Sequence, residues 1–291
     1  MLDGLFPGSS ASAQTSDRNK LQRELLEMKV KGFNKSKGNF HDDTGYHCPV
    51  CNDHGTVPVI KTDADGWPVL SFPPCKCHNT RNSLLKMQRS GLGNIIREKT
   101  FGLFKDDTEW RKAVKNGAIS FTTSVLKAQA GETRGWFFVG GQPGSGKSHI
   151  GSAICRELLL HQYSVYYMVW PKESKQLHGL AKSDNGHQER EKLLHDIKTA
   201  DVLYLDDLFK PTRERGQKMP PSPADIRLAF EIINDRYTNP QLATIISSEW
   251  HMDELLEIDE ATGSRIFEKA AVYNIANDPS RNFRLRKAEM L

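Results

Sequence analysis

The chain has 291 residues, 37% of them hydrophobic and 26% charged, with a formal net charge of +4. That length accommodates one large domain and a small one. The composition suits a globular protein in water, and no apolar run approaches the roughly 20 residues of a membrane-spanning helix. The mild positive charge permits contact with nucleic acid without demanding it. Met1 to Pro7 lacks a basic segment followed by an apolar core, so no secretion signal is expected. Five cysteines, four of them with metal-like spacing, point to a reducing cytoplasm and to thiolates rather than disulfides.

Residues 1 to about 16 are rich in Gly, Ser and Ala and are expected to be flexible. Asp17 is placed to cap a helix running to about Val30, with Leu21, Leu25 and Met28 on one face. That face either packs on its own domain or binds a partner. Residues 31–40 have the Lys/Gly/Asn composition of a linker. Two cysteine pairs follow, Cys48-Pro49-Val50-Cys51 with Gly55 behind it, and Cys75-Lys76-Cys77-His78. Between them Thr56–Ile60 and Trp67–Phe72 are β-type runs around Asp63-Ala64-Asp65-Gly66, a hairpin signal. Two thiolate pairs joined by a hairpin make a zinc ribbon. Cys48, Cys51, Cys75 and Cys77 would hold Zn2+ in a closed, structural site, a staple that so small a domain needs. The second pair has the less usual Cys-x-Cys spacing, so His78, His47 and His54 stand as alternative ligands.

Asn79 to Gly91 reads as a basic helix, and Gly91-Leu92-Gly93 as a boundary. The chain thus divides into a flexible N-terminus with an amphipathic helix (1–40), a metal-binding domain (41–92) and a larger domain (93–291). In the last, a helical pattern from Asp107 to about Ala130 precedes the apolar run Trp136-Phe137-Phe138-Val139, which reads as a buried strand. Directly after it, Gly141-Gln142-Pro143-Gly144-Ser145-Gly146-Lys147-Ser148 fits the P-loop pattern G-x-x-x-x-G-K-[ST]. A helical pattern from His149 to Leu160 follows. Strand, glycine loop and helix together let backbone amides turn inward around phosphate oxygens at a helix N-terminus. Lys147 would reach the β- and γ-phosphates of ATP, and Ser148 would ligate Mg2+. Cys155, on the helix behind, reads as a core residue.

Ser164–Trp170 is β-rich and Pro171 ends it; Lys172 to Gly186 is polar, and Gln188 to Thr199 is a charged helix. Asp201-Val202-Leu203-Tyr204-Leu205-Asp206-Asp207 is an apolar strand ending in paired carboxylates, the Walker B pattern. Asp206 would hold Mg2+ through water, and Asp207 would orient or polarise the attacking water. Phe209 to Pro223 reads as a long loop, residues 222–237 as a helix and Leu242–Ile246 as a core strand running into Ser247-Ser248-Glu249. A short helix, the segment Asp259–Ala271, a short β-type run to Ile275 and a basic tail complete the chain. Strands alternating with helices make a parallel α/β sheet covered on both faces, with ligands at the carboxyl ends of its strands.

With these residues in view, the chain resembles the DnaC/DnaI-type replicative helicase loaders, an AAA+ ATPase family, and looks closest to its Gram-positive and phage-encoded branch. The resemblance runs from about residue 45 onward. It rests on the cysteine cluster, Ser90-Gly91-Leu92, Thr100-Phe101, the P-loop, Asp206-Asp207-Leu208-Phe209-Lys210, Ile245-Ile246-Ser247-Ser248, Ile258 to Ile266, and Asn282-Phe283-Arg284-Leu285. It implies an AAA+ fold behind a zinc-ribbon-like domain. Ser247 and Ser248 fall at the sensor-1 position, where many relatives have an asparagine at the place of Glu249. Arg265 takes the place of the arginine finger that completes a neighbour's site, and Arg284 looks like the sensor-2 arginine, with Arg281 and Arg286 close rivals. The implied partners are a hexameric replicative DNA helicase, bound by the zinc-bearing region, single-stranded DNA, and further copies of the chain. Basic residues of 172–182 and 211–218 are either a phosphate-tracking surface or a solvated face.

Three other functions share parts of the pattern. An IstB-type transposition helper ATPase would share the P-loop and Walker B but is not expected to carry the Cys48–Cys77 cluster. A P-loop kinase would need an acceptor site and no arginine from a neighbour. An ATP-gated adaptor that binds helicase and barely hydrolyses stays open because Asp207 is a methylene shorter than the usual glutamate.

Overall fold

The computed structural model describes residues 11–39, 46–89, 93, 98–183 and 185–286. The chain divides into two compact units, Met1–Arg81 and Asn82–Leu291.

In the first unit, helix α1 (Ala11–Lys35) is longer than its sequence signals suggest. Ala11 to Ser16 contains neither Gly nor Pro, so nothing stops the helix from extending back past Asp17. Its C-terminal turn takes up half of the expected linker. Strands β1 (Val59–Thr62) and β2 (Pro68–Ser71) pair antiparallel with Thr62 opposite Pro68. Asp63 closes the expected turn by accepting from the amides of Asp65 (3.0 Å) and Trp67 (2.8 Å). Helix α1 docks here through Gln22, whose amide donates to Pro68 O (3.3 Å), and through Phe33, stacked on His54 and tilted against Phe72. Leu21, Leu25 and Met28 are left 54–69% exposed. Helix α2 (Cys77–Arg89) begins on a cluster cysteine; the expected boundary at Gly91-Leu92 lies outside the described residues.

The second unit runs α3 (Glu109–Lys127), β3 (Trp136–Gly141), α4 (Lys147–Leu160), β4 (Val165–Val169), α5 (Trp170–Ala181), α6 (His187–Thr199) and β5 (Val202–Leu208). The short strands β6 (Arg213–Glu214) and β7 (Gln217–Lys218) follow, then α7 (Pro223–Tyr237), β8 (Ala243–Ser248), α8 (Met252–Ile258), α9 (Glu260–Lys269), β9 (Ala270–Ile275) and α10 (Phe283–Arg286). Five strands form one parallel sheet in the order β4-β5-β8-β3-β9. Alternate residues serve opposite faces. Phe137, Val139, Tyr204 and Ile245 pack with α3 and α4, while Trp136, Phe138, Leu203, Leu205 and Ile246 pack with α5 to α9. Both faces are therefore buried, which is why these strands read as near-continuous apolar runs.

Two segments depart from expectation. Pro171 does not end a strand in a polar loop. It occupies the first turn of α5, where its missing N–H costs nothing, and Trp170, Ser174 and Leu177 then bury one helical face. The loop after β5 contains the antiparallel β6–β7 hairpin.

One buried cation fixes how α6, α7 and β8 meet. Arg236 on α7 is 0% exposed. Its guanidinium donates to the carbonyls of Ile197, Lys198 and Ala200 at the C-terminus of α6, to Ala243 O and to Thr244 Oγ1 at the start of β8. The last carbonyls of a helix have no partner of their own, and a cation there also meets the negative end of the helix dipole. Arg236→Met, which keeps the bulk and removes the donors, is expected to cost about 3–5 kcal/mol of stability in denaturant unfolding. A loss below about 1 kcal/mol would show that water replaces the guanidinium.

Candidate active site and cysteine cluster

The carboxyl ends of β3, β5 and β8 converge on the glycine loop. Gly146 is the N-cap of α4 at φ +95°, in the left-handed region where a side chain would be strained. The loop therefore turns directly into the helix with its amides open to an anion. Lys147 is folded back on its own loop, its Nζ donating to Gly141 O (2.6 Å) and Gln142 O (2.9 Å). Burial lowers this ammonium to about 8, against the attraction of Asp207, Glu249 and Asp206.

Asp206 is the most connected group of the site. Its Oδ1 accepts from Ser148 Oγ (3.0 Å), Tyr204 OH (2.8 Å) and Ser247 Oγ (2.6 Å), and its Oδ2 from Tyr167 OH (2.7 Å). Burial and the Asp206 charge push both phenols far above their ordinary range, so they remain donors. A Cβ on Gly151 would stand 2.3 Å from the Tyr204 ring; glycine there lets α4 ride close over β5. Tyr204 lies two residues before Asp206, hence on the same face of β5, so it was legible in the sequence. Tyr167 comes from the neighbouring strand and was not.

Past Asp206 the pairing of β5 with β8 shifts register, and Asp207 takes φ 59°. Its amide donates to Ser247 Oγ (3.1 Å), and its Oδ2 lies 2.6 Å from Lys210 Nζ. Ser248 faces away from this group: its hydroxyl donates to Leu208 O (2.7 Å) and accepts from Trp250 N (3.1 Å). Of the two serines, Ser247 is the one turned toward Asp206.

A cavity of about 360 Å3 opens over the loop, within the range of small-molecule sites. Its polar end is formed by Lys147, Ser148, Asp207, Lys210, Glu249 and Arg284, and its other wall includes Leu103, Phe104 and His149. His149 donates through Nε2 to Thr100 O (2.8 Å) and stands edge-on to Phe104. Leu103 and Phe104 of this wall carried no sequence signal, because they belong to an irregular stretch without periodicity. Of the rival arginines, Arg284 lines the cavity, whereas Arg281 lies over Trp110 and near Asp278; the Arg286 side chain lies outside the described residues. The segment bearing Arg284 is tied to the loop. Gln142 pairs both amide atoms with the backbone of Asp278 (2.7 Å each), and Phe283 N donates to Gly144 O (2.9 Å). Arg265 is not among the cavity residues. It lies on α9 between Phe230 and Tyr237, bonded to Asn234 Oδ1 (3.2 Å) and Ala261 O (2.6 Å).

In the first unit the four expected cysteines meet, all buried, with every sulfur within 4.8 Å of the others. Sulfurs around a tetrahedral zinc at about 2.3 Å lie about 3.8 Å apart. Here Cys48 and Cys75 are 3.8 Å apart, and Cys51 and Cys77 3.6 Å. The histidines are engaged elsewhere: His47 with Asp53 (2.9 Å), His54 with Ser36 O (3.0 Å) and His78 with Gly55 O (3.0 Å). Among the described residues, these four sulfurs are the ligand atoms that lie close enough together to hold a metal. Asp53 backs the first pair, accepting from Cys48 N and from Arg81 (2.9 Å each).

No family model matches the chain. It is 30% identical to the uncharacterized protein YqaM of Bacillus subtilis, over 87% of this chain and 89% of that one. It is 24% identical to the replicative helicase loader DnaC of Escherichia coli, over 66% of this chain and 73% of that protein. A crystal structure of the DnaC helicase loader superimposes with a TM-score of 0.50 at 19% identity, covering 62% of this chain and 98% of that one. The sheet shares its fold with that protein. Among the described residues no helix is long and apolar enough to cross a membrane.

The low value of Lys147 sets a pH dependence. Its ammonium loses the proton as pH rises through about 8 in the free protein. A bound polyphosphate favours the charged form, so binding above that pH takes up a proton. Affinity for ATP is expected to hold below pH 8 and to fall above it, by up to about tenfold per pH unit. Titration of a fluorescent ATP analogue from about pH 7 to about pH 9.5 measures this, and a flat profile would contradict it.

Proposed function

The chain belongs to the DnaC/DnaI-type helicase-loader family of AAA+ ATPases, and on that premise we propose that it is an ATP-dependent loader of a replicative DNA helicase onto single-stranded DNA. One observation carries the reading. Loop, strand ends and C-terminal segment bring Lys147, Ser148, Asp207 and Arg284 to one cavity, with Asp206 bonded to Ser148 behind it.

In this reading the amides of 141–148 cradle the phosphates, and Lys147 leaves its two carbonyls for the β- and γ-phosphates. Mg2+ would sit at Ser148 and Asp206 and neutralise the phosphate charge. Ser247 links Asp206 to the Asp207 backbone, the position at which occupancy would be sensed. Arg284 reaches the same pocket from the C-terminal segment. Arg265 on α9 does not line its own cavity; in this reading it serves a neighbouring copy as an arginine finger.

Cys48, Cys51, Cys75 and Cys77 hold a structural Zn2+ in this reading. The exposed Leu21, Leu25 and Met28 stripe supports a role for the first unit in binding the helicase. Lys172, Lys175 and Lys182 around α5, with Arg213 and Arg215 on the hairpin, are the candidate contacts to a DNA backbone. A second reading, an ATP-gated adaptor that hydrolyses little, draws on the pairing of Asp207 with Lys210.

With purified helicase and a closed single-stranded circle, the chain is expected to deposit helicase only when ATP is present, scored by strand displacement. Lys147→Ala should still bind helicase yet fail to load it; loading without ATP, or by that variant, would sink the proposal. Cys48→Ser is expected to lose about one zinc per chain and helicase binding while keeping ATP affinity. Full metal content in that variant would redirect the assignment.

A further inference from the structure

The cavity holds a second carboxylate beside Asp207. Glu249 follows the last residue of β8, is only 7% exposed, and lines the same cavity as Lys147 and Ser148. Strands β5 and β8 are parallel neighbours with Leu208 opposite Ser248; Asp207 precedes that pair and Glu249 follows it, and both line the cavity at the carboxyl end of the sheet.

Their carboxylates are held differently. Asp207 is engaged at close range by Lys210, and its backbone is set by the bond to Ser247. For Glu249 the main chain is the fixed part. Its carbonyl accepts from Lys218 Nζ (2.8 Å), and Lys218 also bonds both carboxylate oxygens of Glu254 (2.9 Å each) and lies over the Trp250 ring. Among the described residues the Glu249 side chain has one long ion-pair contact, 3.7 Å from Oε2 to Nη2 of the half-exposed Arg213 on the β6–β7 hairpin. Glutamate also reaches a methylene further than aspartate. Lys147 and Lys210 both sense its charge.

We propose that Glu249 is the carboxylate that activates the attacking water, and that Arg213 is the restraint on it. This rests on reading the cavity as an ATPase site. The water oxygen bonds to the γ-phosphorus as the bond from that phosphorus to the β–γ bridging oxygen breaks. The water proton passes to the Glu249 carboxylate and on to solvent. The electron pair of the broken bond stays on the β-phosphate oxygen of ADP. Asp207, held by Lys210, shapes the pocket without taking that proton.

The test is single-turnover hydrolysis of labelled ATP by the full chain, with ATP affinity and thermal melting measured on each variant. E249Q is expected to bind ATP like the parent and to hydrolyse about a hundredfold more slowly or worse. D207N should lose less than about tenfold. R213A should raise the basal rate by up to about fivefold, the scale of an exposed ion pair, and R213A/E249Q should be as slow as E249Q. If E249Q loses ATP affinity, E249D is read in its place: slowed hydrolysis at parental affinity supports the role. Hydrolysis by E249Q within about threefold of the parent overturns the role. So does a D207N variant that is inactive while E249Q is not. A parent chain that binds ATP without turnover, R213A included, overturns it and leaves nucleotide binding standing. Failure to bind ATP at all removes the site itself.

Discussion

The carboxylate of Asp206 is the point on which the second unit is assembled. It is a buried anion with no cation bonded to it among the described residues, and four hydroxyls from α4, β4, β5 and β8 compensate it. Each donor arrives on a different element, so the four bonds form together only if three strands are in register and α4 sits at the right height. A buried carboxylate stripped of such bonds is strongly destabilised. The network around the proposed Mg2+ position therefore also locks the sheet.

The first unit solves a different problem with different means. Among the described residues, apart from Tyr46 and Val57 at its margin, the buried apolar cluster of this unit is the four cysteines themselves. So thin a core leaves little hydrophobic area to offset chain entropy. The cluster of four sulfurs, which could hold a metal ion, and the Asp53–Arg81 pair stand where packing is short.

Much of this was legible in the residues, and the gaps have physical reasons. The P-loop and the Asp206-Asp207 pair stood out because phosphate and Mg2+ geometry allow few spacings. The β1–β2 hairpin followed from Asp63 and Gly66. Helix α5 is hidden in the sequence because a proline after a β-rich run reads as a stop, whereas at the first turn of a helix it is a start. The choice between cysteine and histidine ligands needed the fold, since only the fold shows His47, His54 and His78 bonded to other partners. Likewise Ser247 and Ser248 are adjacent in sequence but point to opposite faces of β8, and spacing alone does not say which faces Asp206.

The reciprocal pair between Gln142 and Asp278 carries a mechanical consequence. Because both atoms of one side-chain amide grip a single stretch of main chain, the glycine loop and the segment leading to Arg284 slide past one another only by giving up both bonds at once. The two behave as a pawl and its notch. The approach of that arginine to the cavity is indexed to the loop through backbone geometry, and the long, mobile side chain supplies only the final reach.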